Sequence, residues 1–311
     1  MMHPPSYDDV DQAATRIAPY IHRTAVFTSR TVDERTGARV FSKGEHLQRV
    51  GAFKARGALN AILQLGSDAI ARGIATHSSG NHGQAVAFAA SVVGAPAVIV
   101  MPDHAPSVKV DAVRQYGARI VVCPQAERES VLAELVADHG YAVVHPFDDP
   151  NVIAGQGTAA VELIAEVPDL DLVMTPIGGG GLLSGTTIVA AHHGIRTIGA
   201  EPRVVDDAAR SLRDGTRYPA TGAVSVGDGL LTGIGEIAFA VLSAHGVEVI
   251  TVGEDEIMEA TRFIITRTKQ LIEPSSGTVY AALFASGRRF SGLRVGVIVS
   301  GGNVDLGRLT T

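Results

Sequence analysis

Nine short runs of apolar, often β-branched residues alternate with amphipathic stretches along this chain. Strands that are apolar throughout must be covered on both faces, and strands separated by helices form parallel sheets. The alternation therefore predicts an α/β protein. We predict strands at residues 40–43, 74–77, 97–101, 119–123, 141–145, 172–176, 197–201, 247–252 and 294–300. We predict helices at residues 56–65, 81–93, 108–116, 127–139, 155–167, 182–193, 206–213, 254–268 and 277–286.

The middle of the chain indicates a division into two domains. Residues 74–145 hold four of the strands with helices between them, and the run HPFDDP marks the exit from this small domain. The remainder, 1–73 plus 146–311, would form the large domain. We expect two open, mostly parallel sheets, each with helices on both faces. Because ligands of such sheets bind beyond the carboxyl ends of the strands, the active site should lie between the domains.

Composition and charge argue against several classes of protein. Hydrophobic residues make up 46% of the 311 and charged residues 19%, which supports a large core. A net charge of −6 without a basic tract argues against nucleic acid or a membrane surface as partner, and no apolar run approaches the ~20 residues that span a bilayer. Cys123 is the only cysteine and no signal peptide is visible, so we expect a cytoplasmic protein without an intrachain disulfide.

Lys54, in the run GAFKARG, is the candidate nucleophile. It is one of four lysines, the others being Lys43, Lys109 and Lys269. It lies beside Phe53 at the start of a predicted helix, where the helix dipole and partial burial both disfavour the ammonium form. A lysine that loses its proton near neutral pH can form a Schiff base with an aldehyde. An ordinary lysine in a tight turn fits these residues equally well.

A second motif, THSSGNHGQ at residues 76–84, follows a strand and opens a helix. It brings two hydroxyls, an amide and free helix N–H groups into one turn, which suits a bound carboxylate. The alternative is a capped helix start with Ser79 or Asn81 as N-cap. Because capping needs one of these residues rather than four with two glycines, we favour the anion site.

A third motif, TPIGGGGL at residues 175–182, is a strand that runs into four glycines and a helix. Gly178, Gly179, Gly180 and Gly181 let backbone N–H groups converge on a phosphate at the helix N-terminus. The run lacks the Gly-Lys-Ser/Thr of a Walker loop and the third glycine of a dinucleotide fingerprint. We therefore favour a phosphate that is not part of a nucleotide over a purely structural glycine turn.

A group of carboxylates follows the strand at residues 197–201. Glu201 ends the strand, and Asp206 and Asp207 begin the next helix. With loop carbonyls, these side chains could ligate a hard cation such as Mg²⁺ or Ca²⁺. From these residues alone, helix capping by one of the aspartates is the better explanation.

The segments GAFKARGALNA, SSGNHGQAVA, HPFDDPNVIAGQGT, PIGGGGL and SGGN together closely resemble the serine/threonine dehydratase and serine racemase family, in the same order and over essentially the whole chain. The resemblance implies the tryptophan-synthase-β-like fold (fold type II), pyridoxal 5′-phosphate (PLP) as cofactor and an amino acid as small-molecule substrate. We also expect a homodimer or a higher homo-oligomer.

The resemblance assigns roles to individual residues. Lys54 looks like the Schiff-base lysine and Phe53 would lie beside the cofactor ring. The remaining cofactor contacts would be Asn81 at the ring hydroxyl, Ser300 at the pyridine nitrogen, and Gly178, Gly179, Gly180 and Gly181 at the phosphate. The substrate carboxylate turn would comprise Ser78, Ser79, Asn81 and His82, with Arg128 as a substrate-side arginine.

Two further expectations follow from the resemblance. Ser79 would lie on the ring face opposite Lys54, where its hydroxyl could return a proton and allow racemisation. Glu201, the Val205 carbonyl and Asp207 match the cation site of the family, which overturns the local preference for helix capping.

The activity implied is dehydration and deamination of L-threonine, L-serine or both, to 2-oxobutyrate or pyruvate and ammonia. The chain ends soon after Asn303, without room for a C-terminal regulatory domain, which favours a catabolic enzyme. A serine racemase and a threo-3-hydroxyaspartate ammonia-lyase are alternatives, although animal-type racemases carry Asn where Phe147 stands. A non-catalytic protein that binds a phosphate ligand is a further alternative, which the intact Lys54 disfavours.

Overall fold

The computed structural model describes residues 3–78, 80–103 and 107–309. In this part of the chain lie thirteen α-helices and ten strands. The strands are β1 (Val26–Thr28), β2 (Arg39–Gly44), β3 (Ile74–His77), β4 (Ala97–Pro102), β5 (Arg119–Cys123), β6 (Ala142–Val143), β7 (Leu172–Pro176), β8 (Arg196–Pro202), β9 (Glu248–Val252) and β10 (Arg294–Val299). The helices are α1 (Tyr7–Ile17), α2 (Arg30–Thr36), α3 (Lys54–Ile62), α4 (Ser67–Arg72), α5 (Asn81–Val93), α6 (Ser107–Gln115), α7 (Arg128–His139), α8 (Pro150–Glu166), α9 (Gly181–His192), α10 (Asp207–Asp214), α11 (Glu236–Ala244), α12 (Glu254–Thr268) and α13 (Pro274–Ala285).

The larger sheet has six strands in the order β1–β2–β10–β7–β8–β9. Only the pair of β1 and β2 is antiparallel. One face packs against α12 and α13 around Tyr280 and Leu283, and the other packs against α1, α8 and α9 around Leu163 and Val189. Burial on both faces explains why its central strands are apolar throughout.

The smaller sheet has four parallel strands in the order β5–β4–β3–β6. Helix α5 covers one face, where Ile74 and Ile99 pack against a run of small residues, and α7 covers the other through Leu132. Helix α3 packs against both α5 and α8, and thereby joins the two sheets. The structure confirms the predicted fold class, whereas the limits proposed for the two domains stay a prediction.

Nine of the ten strands match the predicted ones within a few residues, and the remaining strand, β1, was not predicted. Strand β1 has only three residues, too few for the pattern of an apolar strand to emerge. Helices α1, α2, α4 and α11 were also not predicted. Helix α1 is largely polar and buries only Val10, Ala13 and Ile17.

Helix α8 begins at Pro150, five residues before its predicted start at 155. The Asp149 carboxylate accepts hydrogen bonds from the N–H groups of Asn151 and Val152, and Pro150 occupies the first turn. An aspartate followed by proline is a helix-start signal. The run HPFDDP therefore connects the small sheet to α8, and its last residues form the start of that helix.

None of the helices in the described ranges combines the length and the apolar character that crossing a bilayer requires.

Candidate active site

Lys54 begins helix α3, and its amine is held by the backbone of another segment. The Nζ atom donates a hydrogen bond of 2.7 Å to the carbonyl oxygen of Pro146, and it lies 5.2 Å from the centroid of the Phe53 ring. Burial lowers the pKa of Lys54 to about 8. At pH 7 roughly a tenth of such amines are neutral, compared with ~0.03% for an ordinary lysine. The side chain is therefore prepared to act as a nucleophile and as a base.

The segment that carries Lys54 lies directly against the end of β10. The Phe53 N–H donates to the Ser300 carbonyl at 2.9 Å. The Ser300 hydroxyl is buried and lies 2.9 Å from the hydroxyl of Ser276, which also accepts from the Gly301 N–H at 2.8 Å. Our sequence reasoning did not select Ser276, although the run PSSG at a helix start was the available signal.

The glycine run forms the turn between β7 and α9. Gly180 has a φ of 87°, which favours glycine. The N–H groups of Gly178, Gly179 and Gly180 donate to no atom of the described residues, and those of the first turn of α9 are unpaired as in any helix. This turn can thus present several N–H groups to an anion.

The segment at residues 145–149 connects Lys54 with the glycine turn. The Pro146 carbonyl accepts from Lys54, and the ring of the next residue, Phe147, packs against the turn. A Cβ atom added at Gly179 would lie 2.2 Å from this ring. Asp148 then accepts from the N–H groups of Glu236 and Ile237 at 2.9 Å and so caps α11.

Residues of the SSGNHG turn lie at the carboxyl end of β3. The Ser78 hydroxyl accepts from the Gly80 N–H at 3.1 Å. The amide of Asn81 bonds Glu273 and Asn303, which the sequence reasoning did not select as site residues. Ser79 lies outside the described residues, so its position opposite Lys54 stays a prediction.

The side chain of His82 bonds the protein backbone and is not free to bind a substrate carboxylate. Its Nε2–H donates to the Val144 carbonyl at 2.9 Å, and the imidazole is buried. Burial lowers the pKa of His82 to about 3, and the charge of Lys54 contributes to this. His82 therefore stays neutral, and the contact with a substrate carboxylate implied by the resemblance would have to come from its backbone.

Two histidines that the sequence reasoning did not select lie at the carboxyl edge of the small sheet. Strands β3 and β6 pair in register, and Thr76 Oγ1 donates to the Val144 carbonyl at 2.9 Å. His77 and His145, the next residues of the two segments, are therefore lateral neighbours. Burial lowers the pKa of each histidine, and the Arg128 guanidinium lowers that of His77 further.

The tautomer of His145 follows from its hydrogen bonds. Its Nδ1 accepts from the N–H groups of Asp148 at 2.8 Å and Phe147 at 3.3 Å. The proton of the neutral ring must then be on Nε2, which can donate to a ligand. The carboxyl edge of the small sheet thus offers a guanidinium and an imidazole donor to an anion.

The three residues of the expected cation site lie close together at the end of β8. Both carboxylate oxygens of Glu201 accept from backbone N–H groups of α10, and Asp207 Oδ2 accepts from the Ile234 N–H. Burial raises the pKa of Glu201 to about 8 and that of Asp207 to about 6. Val205 ends the short 3₁₀ turn between them. No group of three or more His, Cys, Asp or Glu side chains suited to a metal occurs within the described ranges.

The site joins a half-buried lysine with a lowered pKa, a glycine turn with open N–H groups and a pair of buried hydroxyls. The family of pyridoxal-phosphate dependent enzymes matches residues 17–301. The chain belongs to this family. These three features fit PLP, whose aldehyde, phosphate and ring nitrogen call for an amine, N–H donors and a polar partner.

Similar proteins narrow the choice within the family. The chain is 41% identical to the L-threo-3-hydroxyaspartate ammonia-lyase of Saccharomyces cerevisiae, over 99% of this chain and 96% of that protein. It is 43% identical to the beta-hydroxyaspartate dehydratase of Paracoccus denitrificans, over 99% of each chain. The crystal structure of serine racemase from Dictyostelium discoideum matches with a TM-score of 0.92 and 43% identity, over 97% of this chain and 99% of that one. These relatives favour the two alternatives over threonine or serine dehydration.

Proposed function

We propose that this protein is a PLP-dependent ammonia-lyase that converts L-threo-3-hydroxyaspartate to oxaloacetate and ammonia. The two hydroxyaspartate enzymes among its relatives support this choice. It replaces L-threonine and L-serine, which the sequence favoured, as the principal substrates. The reaction type is unchanged, because all three substrates carry a β-hydroxyl that is lost by elimination.

The basic edge of the small sheet is the observation that carries the choice of substrate. Hydroxyaspartate has a second carboxylate, whereas serine and threonine do not. Arg128 lies close enough to His77 to lower its pKa, and the neighbouring His145 has an Nε2–H to donate. We infer that the SSGNHG turn binds the α-carboxylate and that these three side chains bind the β-carboxylate.

Lys54 is proposed to perform the proton transfer. PLP, when bound, supplies an electron sink for the charge that develops at the substrate α-carbon. Lys54 would hold the cofactor through Nζ and, once replaced by the substrate amine, remove the α-proton. Its lowered pKa keeps a useful fraction of the amine neutral near pH 7. While Nζ is not attached to the cofactor, its hydrogen bond to the Pro146 carbonyl is suited to orient the amine.

The remaining cofactor contacts follow from the geometry of the site. Gly178–Gly181 would hold the phosphate through N–H groups, and Phe53 would lie beside the ring. Ser300, oriented by Ser276, would meet the pyridine nitrogen with a neutral hydroxyl. A hydroxyl cannot stabilise a protonated ring nitrogen as a carboxylate would, which suits elimination over transamination.

Serine racemisation is the second candidate activity, supported by the likeness to the Dictyostelium racemase. It requires a proton donor on the ring face opposite Lys54, and Ser79 is our candidate for that donor. Elimination needs no such donor, so both activities could share one site.

We also propose that Glu201, Asp207 and the Val205 carbonyl hold Mg²⁺ or Ca²⁺. Burial raises the pKa of both acids, and neighbouring aspartates raise it further, Asp207 and Asp206 for Glu201 and Asp206 for Asp207. A divalent cation would favour their ionised forms and supply the charge that their surroundings do not balance.

A product assay tests the proposed substrate. Purified enzyme with PLP is offered L-threo-3-hydroxyaspartate, L-serine and L-threonine in parallel, and 2-oxo acid, ammonia and D-serine are measured. We expect the largest kcat/KM with hydroxyaspartate. A larger kcat/KM with L-threonine or L-serine than with hydroxyaspartate would contradict the proposal, whereas D-serine formed from L-serine would report the second activity.

A charge substitution tests the basic edge. Arg128→Gln should lower kcat/KM for hydroxyaspartate by up to about fivefold, the effect of losing about 1 kcal/mol from one half-exposed ion pair. Turnover of L-serine should change little, because serine has no β-carboxylate. Arg119→Gln is the matched control, since Arg119 is exposed at the amino end of β5, the opposite edge of the same sheet. Equal losses for both substrates would count against the assignment.

A further inference from the structure

A chain of hydrogen bonds holds Asn81 where the two sheets meet. Asn81 Nδ2 donates to Glu273 Oε1 at 2.9 Å, and Asn81 Oδ1 accepts from Asn303 Nδ2, also at 2.9 Å. Asn303 Nδ2 donates in addition to the Val50 carbonyl at 2.7 Å. Asn81 opens α5 beside the small sheet, whereas Glu273 precedes α13 and Asn303 follows β10 of the large sheet.

One end of this chain, the Val50 carbonyl, can only accept hydrogen bonds, and this fixes the orientation of the two amides. Asn303 must direct its NH₂ group toward this carbonyl, and the same NH₂ group also donates to Asn81 Oδ1. The NH₂ group of Asn81 therefore faces Glu273 as observed. A reversed Asn81 amide would set its oxygen against the carboxylate and its NH₂ against that of Asn303. One N–H of Asn81 remains for another acceptor.

Two glycines make room for these side chains. A Cβ atom at Gly301 would lie 2.4 Å from Glu273 Oε1 and 3.1 Å from Asn81 Nδ2. A Cβ atom at Gly51, which has a φ of 67°, would lie 2.6 Å from Asn303 Oδ1. Glu273 itself is 4% exposed. Gly51 lies three residues before Lys54, and Gly301 follows Ser300. The close packing of these glycines therefore fixes the positions of the three side chains relative to Lys54 and Ser300.

We propose that Glu273 and Asn303 are positioning residues that orient the Asn81 amide toward the cofactor. The inference rests on the proposed function, in which Asn81 binds the ring oxygen of PLP. That oxygen needs a donor, and only the observed orientation of the amide offers the second N–H of Asn81. Since Asn81 lies beside the small sheet and both of its partners lie beside the large sheet, the contact with the cofactor also depends on how the two sheets are held together.

Removing the acceptor tests this role. Glu273→Ala removes one of the two hydrogen bonds that hold the Asn81 amide in this orientation, and the dissociation constant for PLP should rise roughly tenfold, as for loss of one buried hydrogen bond. Glu273→Gln retains an acceptor oxygen of similar reach and should restore most of the affinity. The dissociation constants are measured by titrating cofactor-free protein with PLP and following its absorbance.

Amide hydrogen exchange supplies a readout that needs neither cofactor nor activity. In cofactor-free protein, Glu273→Ala should speed exchange in the second turn of α5, because Asn81 loses one of its two bonds to residues of the large sheet and the start of the helix opens more often. This result would hold even if the protein did not bind PLP, so failure of the proposed function and failure of the inference are distinguishable. Asn303→Ala, which removes the other partner, should have the same effect if Glu273→Ala does not fold.

Thr278→Val is the matched control. Thr278 is buried in the first turns of α13, and its hydroxyl donates to the Pro274 carbonyl at 3.1 Å without contacting Asn81. The substitution removes a buried hydrogen bond next to Glu273 and should leave PLP affinity unchanged. The inference is overturned if Glu273→Ala binds PLP as the wild type does, or if Thr278→Val weakens binding equally.

Discussion

At the scale of single residues, the site depends on ionisable side chains that are shielded from solvent. Burial shifts the pKa of Lys54 downward, and within the described residues no carboxylate opposes this shift. Two residues along the same helix, Arg56 is fully buried and is surrounded by Glu45 and Glu162. The first environment makes an amine reactive, and the second holds a permanent charge in place.

Attachment of PLP to Lys54 should follow the lowered pKa. The rate of attachment is expected to rise with pH and to reach half of its maximum near pH 8, because the neutral amine is the nucleophile. The measurement is absorbance during addition of PLP, followed by borohydride reduction and peptide mapping. Lys54→Arg is the control that cannot be labelled, and label on Lys43 or Lys269 would contradict the assignment.

Arg56→Met should lower the free energy of unfolding by about 3–5 kcal/mol. Glu45 is fully buried; burial raises its pKa, but Arg56 outweighs this and keeps the pKa below its ordinary value. Without the guanidinium, Glu45 and Glu162 lose the partner that donates to both of their carboxylate oxygens, and Glu162 keeps its bond to Lys43. Urea unfolding measures the change. The control is Arg30→Met, because Arg30 forms a solvent-exposed ion pair with Glu34. A loss below about 1 kcal/mol would show that the network contributes little.

At the scale of elements, the site is assembled by short segments that cap distant helices. The residues after β6 form such a segment, since Pro146 receives Lys54, Phe147 packs on the glycine turn and Asp148 caps α11. The loop before α11 in turn donates from the Gly235 N–H to the Gly179 carbonyl at 3.1 Å. The glycine turn is therefore bonded directly to the start of α11, and a shift of α11 would move the turn.

Asp148→Ala should destabilise the protein by about 1–2 kcal/mol, as for loss of a helix cap, and should also weaken PLP binding severalfold. The second effect arises because α11 and the Gly235 loop support the glycine turn. Denaturant unfolding and PLP titration are the two measurements. Ser6→Ala removes the cap of α1, which accepts from the Asp9 N–H, and should affect stability alone. Unchanged PLP affinity in Asp148→Ala would refute the link.

At the scale of the whole molecule, the proposed cation site and the cofactor site are connected by one loop. Asp207 accepts from the Ile234 N–H, and the next residue, Gly235, donates to Gly179 of the glycine turn. A cation at Glu201 and Asp207 would hold this loop from the side away from the cofactor. Cofactor binding and cation binding should therefore support each other.

Excess Mg²⁺ or Ca²⁺ should raise the melting temperature relative to protein in chelator, because a cation bound only to the folded state stabilises it by mass action. At a free concentration one hundred times the dissociation constant, the gain is about 2.7 kcal/mol. Glu201→Gln should abolish the difference, whereas Glu166→Gln, at the exposed end of α8, should retain it. Equal melting temperatures with chelator and with cation would exclude the site.

Much of the architecture could be read from local patterns. Strands β3, β5 and β7 occupy the predicted residues because apolar runs between turn residues are a strong signal. Helix α11 was missed because it is apolar over most of its surface and lacks a helical period. The same limit applies within the site, where Lys54 and the glycine turn stand out in sequence but Ser276 and Glu273 look like ordinary residues at a helix start.

The sequence by itself determined the fold class, the family and the segments that carry chemistry, since these depend on periodicity and on motifs of neighbouring residues. Only the tertiary structure decided which distant groups meet those motifs. His77 and His145 are 68 positions apart and become neighbours through strand pairing, and Glu273 reaches Asn81 from 192 positions away. Burial acts in the same way, because the pKa of Lys54 is set by the segments that exclude water from its amine.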